Sequence, residues 1–209
     1  MKLLIIKQGS QPPLYYYLPA VLFLVVSLYP LLMFGTSNAL NQTSDDAYYY
    51  IVIAQNIIAS GESAFFPGEL TNGYHPLWLA LLVIGGKIFG LSLVTVKVLE
   101  AATVFIGFLA LIRFFRFRSF IEAAFFSAVV WRLLLSFGMD GMETSLLFPL
   151  LVIFLGSLLS DEAFIAAWRE GLLFLTGALV IGTRLDAALF VVPLLAVSSL
   201  SLRQKPKYF

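Results

Sequence analysis

Two adjacent carboxylates, Asp45 and Asp46, are the residues of this chain with the clearest potential for chemistry. They follow Ser44 and open a stretch that ends at Gly61, so they would lie in the first turn of a helix. A carboxylate there favourably opposes the helix dipole, and one acid could do only that. Two adjacent acids repel each other, and such a pair also suits a general base or a ligand set for a hard cation such as Mg²⁺, Mn²⁺ or Ca²⁺.

A second polar group precedes an apolar run further along the chain. It contains Asn72, Tyr74 and His75, the single histidine, and it is followed by Pro76. Proline suits the first turn of a helix, so the simplest interpretation is a loop that enters a helix. The functional interpretation is a polar wall of a site, with His75 as hydrogen-bond donor or acid.

Charged residues also lie at the ends of two later apolar runs. Glu143 lies at the start of one run, where it could partner the helix dipole or belong to a site. Arg184 and Asp186 interrupt another run. Ionisable residues at membrane depth are energetically costly, so they mark either a functional site or a mutual ion pair. Lys97 and Glu100 fall inside an apolar run, where we expect the Lys97 ammonium to extend toward the interface and assign Glu100 no role.

The composition indicates which elements position these residues. Of 209 residues 60% are hydrophobic and 12% are charged, whereas soluble domains are roughly 45–50% apolar and about 25% charged. Lipid is therefore the expected solvent. The chain has no cysteine, which excludes disulfides and thiolate catalysis, and a single histidine excludes a multi-histidine metal site. A net charge of +1 gives no reason to expect a nucleic-acid partner.

Apolar runs predict an all-α fold, a polytopic transmembrane bundle in a single domain over residues 1–209. A span needs about 20 apolar residues, and Leu14–Phe34 qualifies as span 1. Residues 38–90 form an outer loop with juxtamembrane helices, and residues 91–202 supply the remaining spans. We expect about six spans in total, the later ones in Leu91–Phe114, Phe120–Phe137, Thr144–Leu159 and the two halves of Gly171–Leu202.

The short run Pro76–Gly90 decides the topology. If it does not cross, basic residues of the N-terminus, of Arg113–Arg118, of a Trp168–Arg169 loop and of the C-terminal tail share one side. By the positive-inside rule that side is the cytoplasm. We therefore predict a multi-pass protein of the cell membrane, with a cytoplasmic N-terminus and an extracytoplasmic active face. The aspartate pair would lie on this outer side, on an amphipathic helix along the membrane.

The ordered set of these motifs resembles the GT-C superfamily, membrane glycosyltransferases that use polyprenyl-phosphate sugars. The likeness is strongest to the bacterial arabinofuranosyl- and mannosyltransferase-like branch, it covers roughly Leu14–Leu202, and it corresponds to the N-terminal portion of such proteins. The residues that carry it are Asp45-Asp46-Ala47-Tyr48, Ala54-Gln55-Asn56, Gly61, Asn72-Gly73-Tyr74-His75-Pro76-Leu77-Trp78, Gly141-Met142-Glu143-Thr144 and Thr183-Arg184-Leu185-Asp186.

The resemblance implies a chemistry in which a sugar moves, with inversion, from polyprenyl phosphate to a glycan, lipid or protein acceptor. It implies a catalytic acid in the first outer loop, which is Asp45 or Asp46 here. We expect Arg184 to stabilise the phosphate charge. The remaining substrate-binding candidates are Asn72, Tyr74, His75, Glu143 and Asp186. The sequence requires no cofactor, and a divalent cation held by Asp45 and Asp46 is the alternative to direct base catalysis.

Two other hypotheses stay open at this stage. Intramembrane charges such as Arg184, Asp186, Glu100 and Arg132 could line a path in a transporter or lipid-handling protein. The chain could also be an inactive fragment of a larger GT-C protein. The sugar, the acceptor and the oligomeric state are not readable from the residues.

Overall fold

The structure, a computed structural model, describes residues 12–41, 43–66, 68–115, 117–137, 139–159 and 163–203. Within these ranges the chain is mostly helical, as predicted, with eight α-helices and one short hairpin. The elements in chain order are α1 (Leu18–Asn41), α2 (Asp45–Ser60), β1 (Ala64–Phe66), β2 (Glu69–Leu70), α3 (Pro76–Phe89), α4 (Leu93–Phe114), α5 (Phe120–Phe137), α6 (Thr144–Leu159), α7 (Ala163–Thr183) and α8 (Ala188–Arg203).

Helix α4 is the centre of the bundle. It packs against α1 on one side and against α6 on the other, and α7 and α8 continue the row beyond α6. Two glycines allow the close approach of α4 and α6: Gly107 lies against the ring of Phe148, and Gly156 lies against the ring of Phe114. A methyl group at either position would meet the facing ring, and overpacking of this kind is destabilising.

The outer faces of several helices carry large apolar side chains. On α1, Leu22, Val25 and Leu32 are exposed, and exposed leucine, phenylalanine and valine side chains recur on α5, α7 and α8. Among the residues that the structure describes, two helices are long and apolar enough to cross a membrane, over Leu14–Met33 and Leu93–Phe114, the first including a 3₁₀ turn before α1. Other apolar helices are shorter, so six crossings stays a prediction.

Helix α2 forms as the sequence predicts. Ser44 has extended backbone and its Oγ accepts from the Ala47 N–H at 3.3 Å, while Gly61 ends the helix at φ +80°. These are the N-cap and C′ positions that serine and glycine favour. Of the apolar residues that recur at helical spacing, Ala47, Ile51 and Ala54 are buried, and Ile58 near the end of the helix is half-buried.

Helix α3 begins at Pro76, as expected, and has 14 residues. At 1.5 Å per residue it is about 21 Å long, well below the roughly 30 Å of a hydrocarbon core. It packs against α2, with further contacts to α4 and α7. Buried Trp78 and Leu82 belong to the same apolar cluster as Ile53 and Ala54 of α2.

Three features differ from the expectation. The strands β1 and β2 pair as a small antiparallel hairpin after α2, which an all-α prediction omits. Helix α7 begins at Ala163, so Trp168–Arg169 lies inside a helix rather than in a loop. Alanine, tryptophan, arginine and glutamate are all compatible with a helix. The fall in hydropathy at these residues therefore does not mark the end of the helix.

The third difference concerns Lys97. Its side chain is 2% exposed and does not extend toward an interface, because its ammonium forms an ion pair with Glu100 at 3.0 Å. The expectation of an outward-reaching lysine is therefore wrong. It rested on hydropathy alone, whereas Glu100, one helical turn away, supplies a buried partner.

Candidate functional site

The start of α3 joins α2 through Tyr50. This tyrosine is 5% exposed, and its Oη accepts a hydrogen bond from the His75 backbone N–H at 3.1 Å. The two rings lie nearly parallel, with centroids 6.5 Å apart. His75 occupies the N-cap position of α3, without a side-chain cap bond, and Pro76 follows it in the first turn, so the backbone of His75 is held by both α2 and α3.

Glu143 lies between His75 and Arg184. Its Oε1 is 3.5 Å from His75 Nε2 and 3.8 Å from Arg184 Nη1. The Glu143 side chain is 4% exposed, against 29% for His75 and 39% for Arg184. A buried carboxylate therefore links the start of α3 to the junction of α7 and α8.

Arg184 also holds Asp186. Its Nε and Nη2 donate to the two carboxylate oxygens of Asp186, each at 3.2 Å, in the bidentate geometry that guanidinium favours. The hydrogen bonds from Arg184, the largest cause, hold the pKa of Asp186 below its ordinary value. Arg184 has extended backbone between α7 and the 3₁₀ turn Leu185–Ala187, which turns its side chain toward Glu143.

The aspartate pair lies at the same end of the molecule. Tyr50 is affected by the charges of Glu143, Arg184 and Asp46 together, while burial, the largest cause, raises its pKa and the His75 N–H lowers it. Tyr50 is one helical turn after Asp46, so the pair approaches the cluster along α2. Both aspartates are exposed, in contrast to Glu143.

Two of the candidate binding residues lie outside this cluster. Tyr74 Oη is 2.9 Å from Ser63 Oγ, which also donates to the Thr71 carbonyl at 2.8 Å. Those contacts tie Tyr74 to the segment around the hairpin. Asn72 is exposed in the same loop. The residues of the motif Asn72–His75 therefore lie in two places. His75 is at the charged cluster, and Asn72 and Tyr74 are beside the hairpin.

The loop 139–143 carries Glu143 into place. The Asp140 carbonyl accepts from the Ser44 N–H at 2.8 Å, and the Gly141 carbonyl accepts from Trp78 Nε1 at 3.0 Å. Gly141 has φ +95°, and a Cβ there would meet Ala47 of α2. Only glycine fits both the conformation and the close approach.

Sequence reasoning missed Tyr50, Trp78 and the support of this loop. Tyr50 is three residues after Ala47 and four before Ala54, which puts it on the buried face of α2. Trp78 is fully buried, and its indole N–H is bonded to the Gly141 carbonyl. The helical period was the available signal for both.

Two polar atoms of the cluster are buried without a hydrogen-bond partner among the described residues. They are Glu143 Oε2 and His75 Nδ1. Buried polar atoms normally have partners, so an acceptor and a ring nitrogen without one are unusual and carry an energetic cost. In the described part of the chain, no group of three or more His, Cys, Asp or Glu side chains could hold a metal ion. Cation binding by Asp45 and Asp46 stays a prediction.

Comparisons with protein-family models, with curated proteins and with solved structures find no match for this chain. The site is therefore interpreted from its own geometry and from the resemblance of its motifs.

Proposed function

We propose that this chain is a multi-pass membrane glycosyltransferase, which moves a sugar from a polyprenyl-phosphate donor to an acceptor hydroxyl at the extracytoplasmic face. The observation that carries the proposal is the meeting of distant polar motifs. His75, Glu143 and Arg184 come from three separate elements, and the Glu143 carboxylate lies 3.5 Å from His75 and 3.8 Å from Arg184.

The membrane part of the proposal rests on the helix surfaces. Apolar side chains cover the outside of α1, α5, α7 and α8, and α1 with its preceding turn and α4 are long enough to cross. The starts of α2, α3, α6 and α8 and the end of α7 gather at the charged cluster. A lipid-linked donor could reach such a helix end sideways from the bilayer, with its phosphate near the surface.

The donor phosphate would bind at Arg184. Asp186 occupies the Nε edge of the guanidinium, and Nη1 points toward Glu143 with its hydrogens available for a shared contact. Arginine has five N–H donors, so it can keep Asp186 and still bind phosphate oxygens. Because Asp186 holds it in place, the charge is positioned before the substrate arrives.

The transfer itself is a single displacement. The acceptor oxygen forms a bond to the anomeric carbon while the bond from that carbon to the phosphate oxygen breaks, and its electron pair leaves with the phosphate. The hydroxyl proton passes to Asp45 or Asp46, whose exposed carboxylates face the solvent from which an acceptor would come. His75, which is partly exposed, would bind a hydroxyl group of the sugar, and Glu143 would orient His75. A cation held by the two aspartates is the alternative to a direct base.

A transporter is the second candidate, and it needs Glu100 and Arg184 to line one path. Glu100 is fully buried, and its Oε1 is bonded to the Gly141 N–H at 2.6 Å. No observation therefore favours transport over transfer. Solute uptake into proteoliposomes that needs no polyprenyl lipid would reverse this preference.

The test uses the full chain reconstituted in liposomes with a panel of polyprenyl-phosphate sugars. We expect release or transfer of one sugar, and a loss of about 10²–10⁴-fold in Asp45→Asn or Asp46→Asn, because general-base help contributes that much. Glu62→Gln, another exposed acid of the same segment, is the matched control and keeps full activity.

Two outcomes count against the proposal. Full transfer by both single aspartate variants would exclude the acids as base. Absence of any sugar release from every donor, by a protein that inserts and stays folded, would reject glycosyl transfer altogether.

A further inference from the structure

Helix α4 contains a pair of opposite charges that the proposed reaction does not use. Lys97 and Glu100 are 2% and 0% exposed, and Lys97 Nζ lies 3.0 Å from Glu100 Oε2. Burial of two charges is costly, and an ion pair of this kind is often replaceable by apolar residues without loss of stability. A purely structural need for the pair is therefore a weak explanation of its presence.

Both charges reach out of α4 to one loop. Lys97 Nζ donates to the Met139 carbonyl at 2.8 Å, and Glu100 Oε1 accepts from the Gly141 N–H at 2.6 Å. The two backbone groups are two residues apart, and they lie just before Glu143. The ammonium faces a carbonyl and the carboxylate faces an N–H, so a loop that ran in the opposite direction would meet unfavourable dipoles at both ends.

Two other helices complete the hold on the loop. The Ser44 N–H, at the start of α2, binds the Asp140 carbonyl, and Trp78 of α3 binds the Gly141 carbonyl. Buried backbone groups need partners, and here each partner comes from an element that carries part of the site. Ser44 directly precedes the aspartate pair, Trp78 lies one turn after His75, and the loop ends in Glu143.

We propose that Lys97 and Glu100 are the positioning residues of the site: by holding Met139 and Gly141 they fix the loop 139–143 and bring Glu143 between His75 and Arg184. The inference rests on the proposed function only where activity is measured. In the low-dielectric interior the two charges bind the loop more strongly than neutral groups would. Displacement of the loop moves Glu143, and misplacement by about 1 Å can cost roughly 10²-fold in rate.

Nuclear magnetic resonance of the full chain in lipid nanodiscs tests the positioning directly. The chain has one histidine and three tryptophans, so the ring signals of His75 and the indole N–H of Trp78 are assignable with single substitutions. In K97M/E100L the loop loses both charged contacts, and we expect both signals to shift or broaden. In K97M/E100Q the glutamine amide oxygen, nearly isosteric with the carboxylate, can still accept from the Gly141 N–H, so the signals should move back toward their wild-type positions.

Val104→Ala is the control for lost stability alone, since Val104 is a fully buried core residue of α4 without a role in the loop. It should lower the melting temperature and leave the two signals in place. If K97M/E100L does not fold, Glu100→Asp supplies the same test. Aspartate keeps the negative charge, but its side chain is one methylene shorter, so the carboxylate no longer reaches the Gly141 N–H. Unchanged His75 and Trp78 signals in the folded variant that breaks the loop contacts would overturn the proposal.

Transfer assays add a second measurement. We expect kcat to fall about 10²-fold in the loop-breaking variant with the donor KM nearly unchanged, because Arg184 still binds phosphate. Partial recovery of kcat in K97M/E100Q supports positioning, and an equal loss in Val104→Ala contradicts it. If no variant and no wild-type chain transfers sugar, the signals still decide the positioning proposal, and only the proposed function fails.

Discussion

Asp45 and Asp46 are exposed at the start of α2, whereas Glu143 at the start of α6 is 3% exposed and lies between two cationic or ionisable side chains. All three acids occupy the first turn of a helix or the residue before it, so their positions in the sequence do not distinguish them. Their surroundings differ because Glu143 arrives on a loop held by three other helices.

The contrast separates two tasks that one carboxylate cannot perform equally well. An exposed acid exchanges protons and meets an acceptor from solvent, but it is poorly fixed. A buried acid is fixed by its neighbours and can orient a bound sugar, yet its proton exchange is hindered. We infer that the aspartates are suited to take a proton and that Glu143 is suited to bind and orient.

The largest expected effect comes from the residue that joins the two regions. In Gly141→Ala the backbone must keep φ +95°, and the new methyl group must displace Ala47 of α2. The left-handed conformation costs about 1–2 kcal/mol, and overpacking adds roughly 1–3 kcal/mol. We expect a loss of about 2–5 kcal/mol in the free energy of unfolding, measured by denaturant titration in mixed micelles.

Gly171→Ala is a matched control, because nothing lies within 4 Å of the Cβ position there. It should leave stability unchanged or raise it slightly, since alanine favours a helix more than glycine does. Equal losses in the two variants would mean that the contact between the loop and α2 contributes nothing.

A smaller effect distinguishes the buried acid from the exposed pair. Loss of one partner from a buried ion pair costs about 3–5 kcal/mol. His75 and Arg184 are partly exposed, so we expect about 1–3 kcal/mol for Glu143→Gln. Asp45→Asn and Asp46→Asn lose only a helix-dipole interaction of roughly 0.3–1 kcal/mol each. The same denaturant titration ranks the three variants, and a loss for either aspartate that exceeds the Glu143 loss would reverse the comparison.

The sequence predicted the helix starts and ends that depend on interactions between neighbouring residues. Ser44 and Gly61 bound α2, and Pro76 begins α3, because capping and proline geometry depend on a few neighbouring residues. The apolar runs also predicted most helices. The hairpin was missed because β1 and β2 have three and two residues, too few for an alternating pattern to be recognised.

The candidate site was predictable as a set of residues but not as an arrangement. The expectation that His75, Glu143 and Arg184 share one end agrees with the contacts, since helix topology decides it. Which acids are buried depends on partners 41 and 42 residues away, as the bonds from Glu100 and Lys97 to the loop illustrate. Spacing along one chain carries no information about such contacts without related sequences.

The pH dependence of stability gives the smallest and most specific prediction. Bonds from Arg184 keep the pKa of Asp186 below its ordinary value of 3.8. The folded state therefore binds a proton less readily than the unfolded state, and the ion pair stabilises the protein fully above about pH 4 and less as the pH falls through the lowered pKa.

Asp186→Asn removes this contribution. The difference in melting temperature between wild type and Asp186→Asn should be present at pH 6 and shrink toward pH 3. Glu62→Gln, which removes an exposed acid outside this ion pair, is measured alongside as the control for the loss of one negative charge. A constant difference for Asp186→Asn would mean that the ion pair with Arg184 contributes nothing to stability.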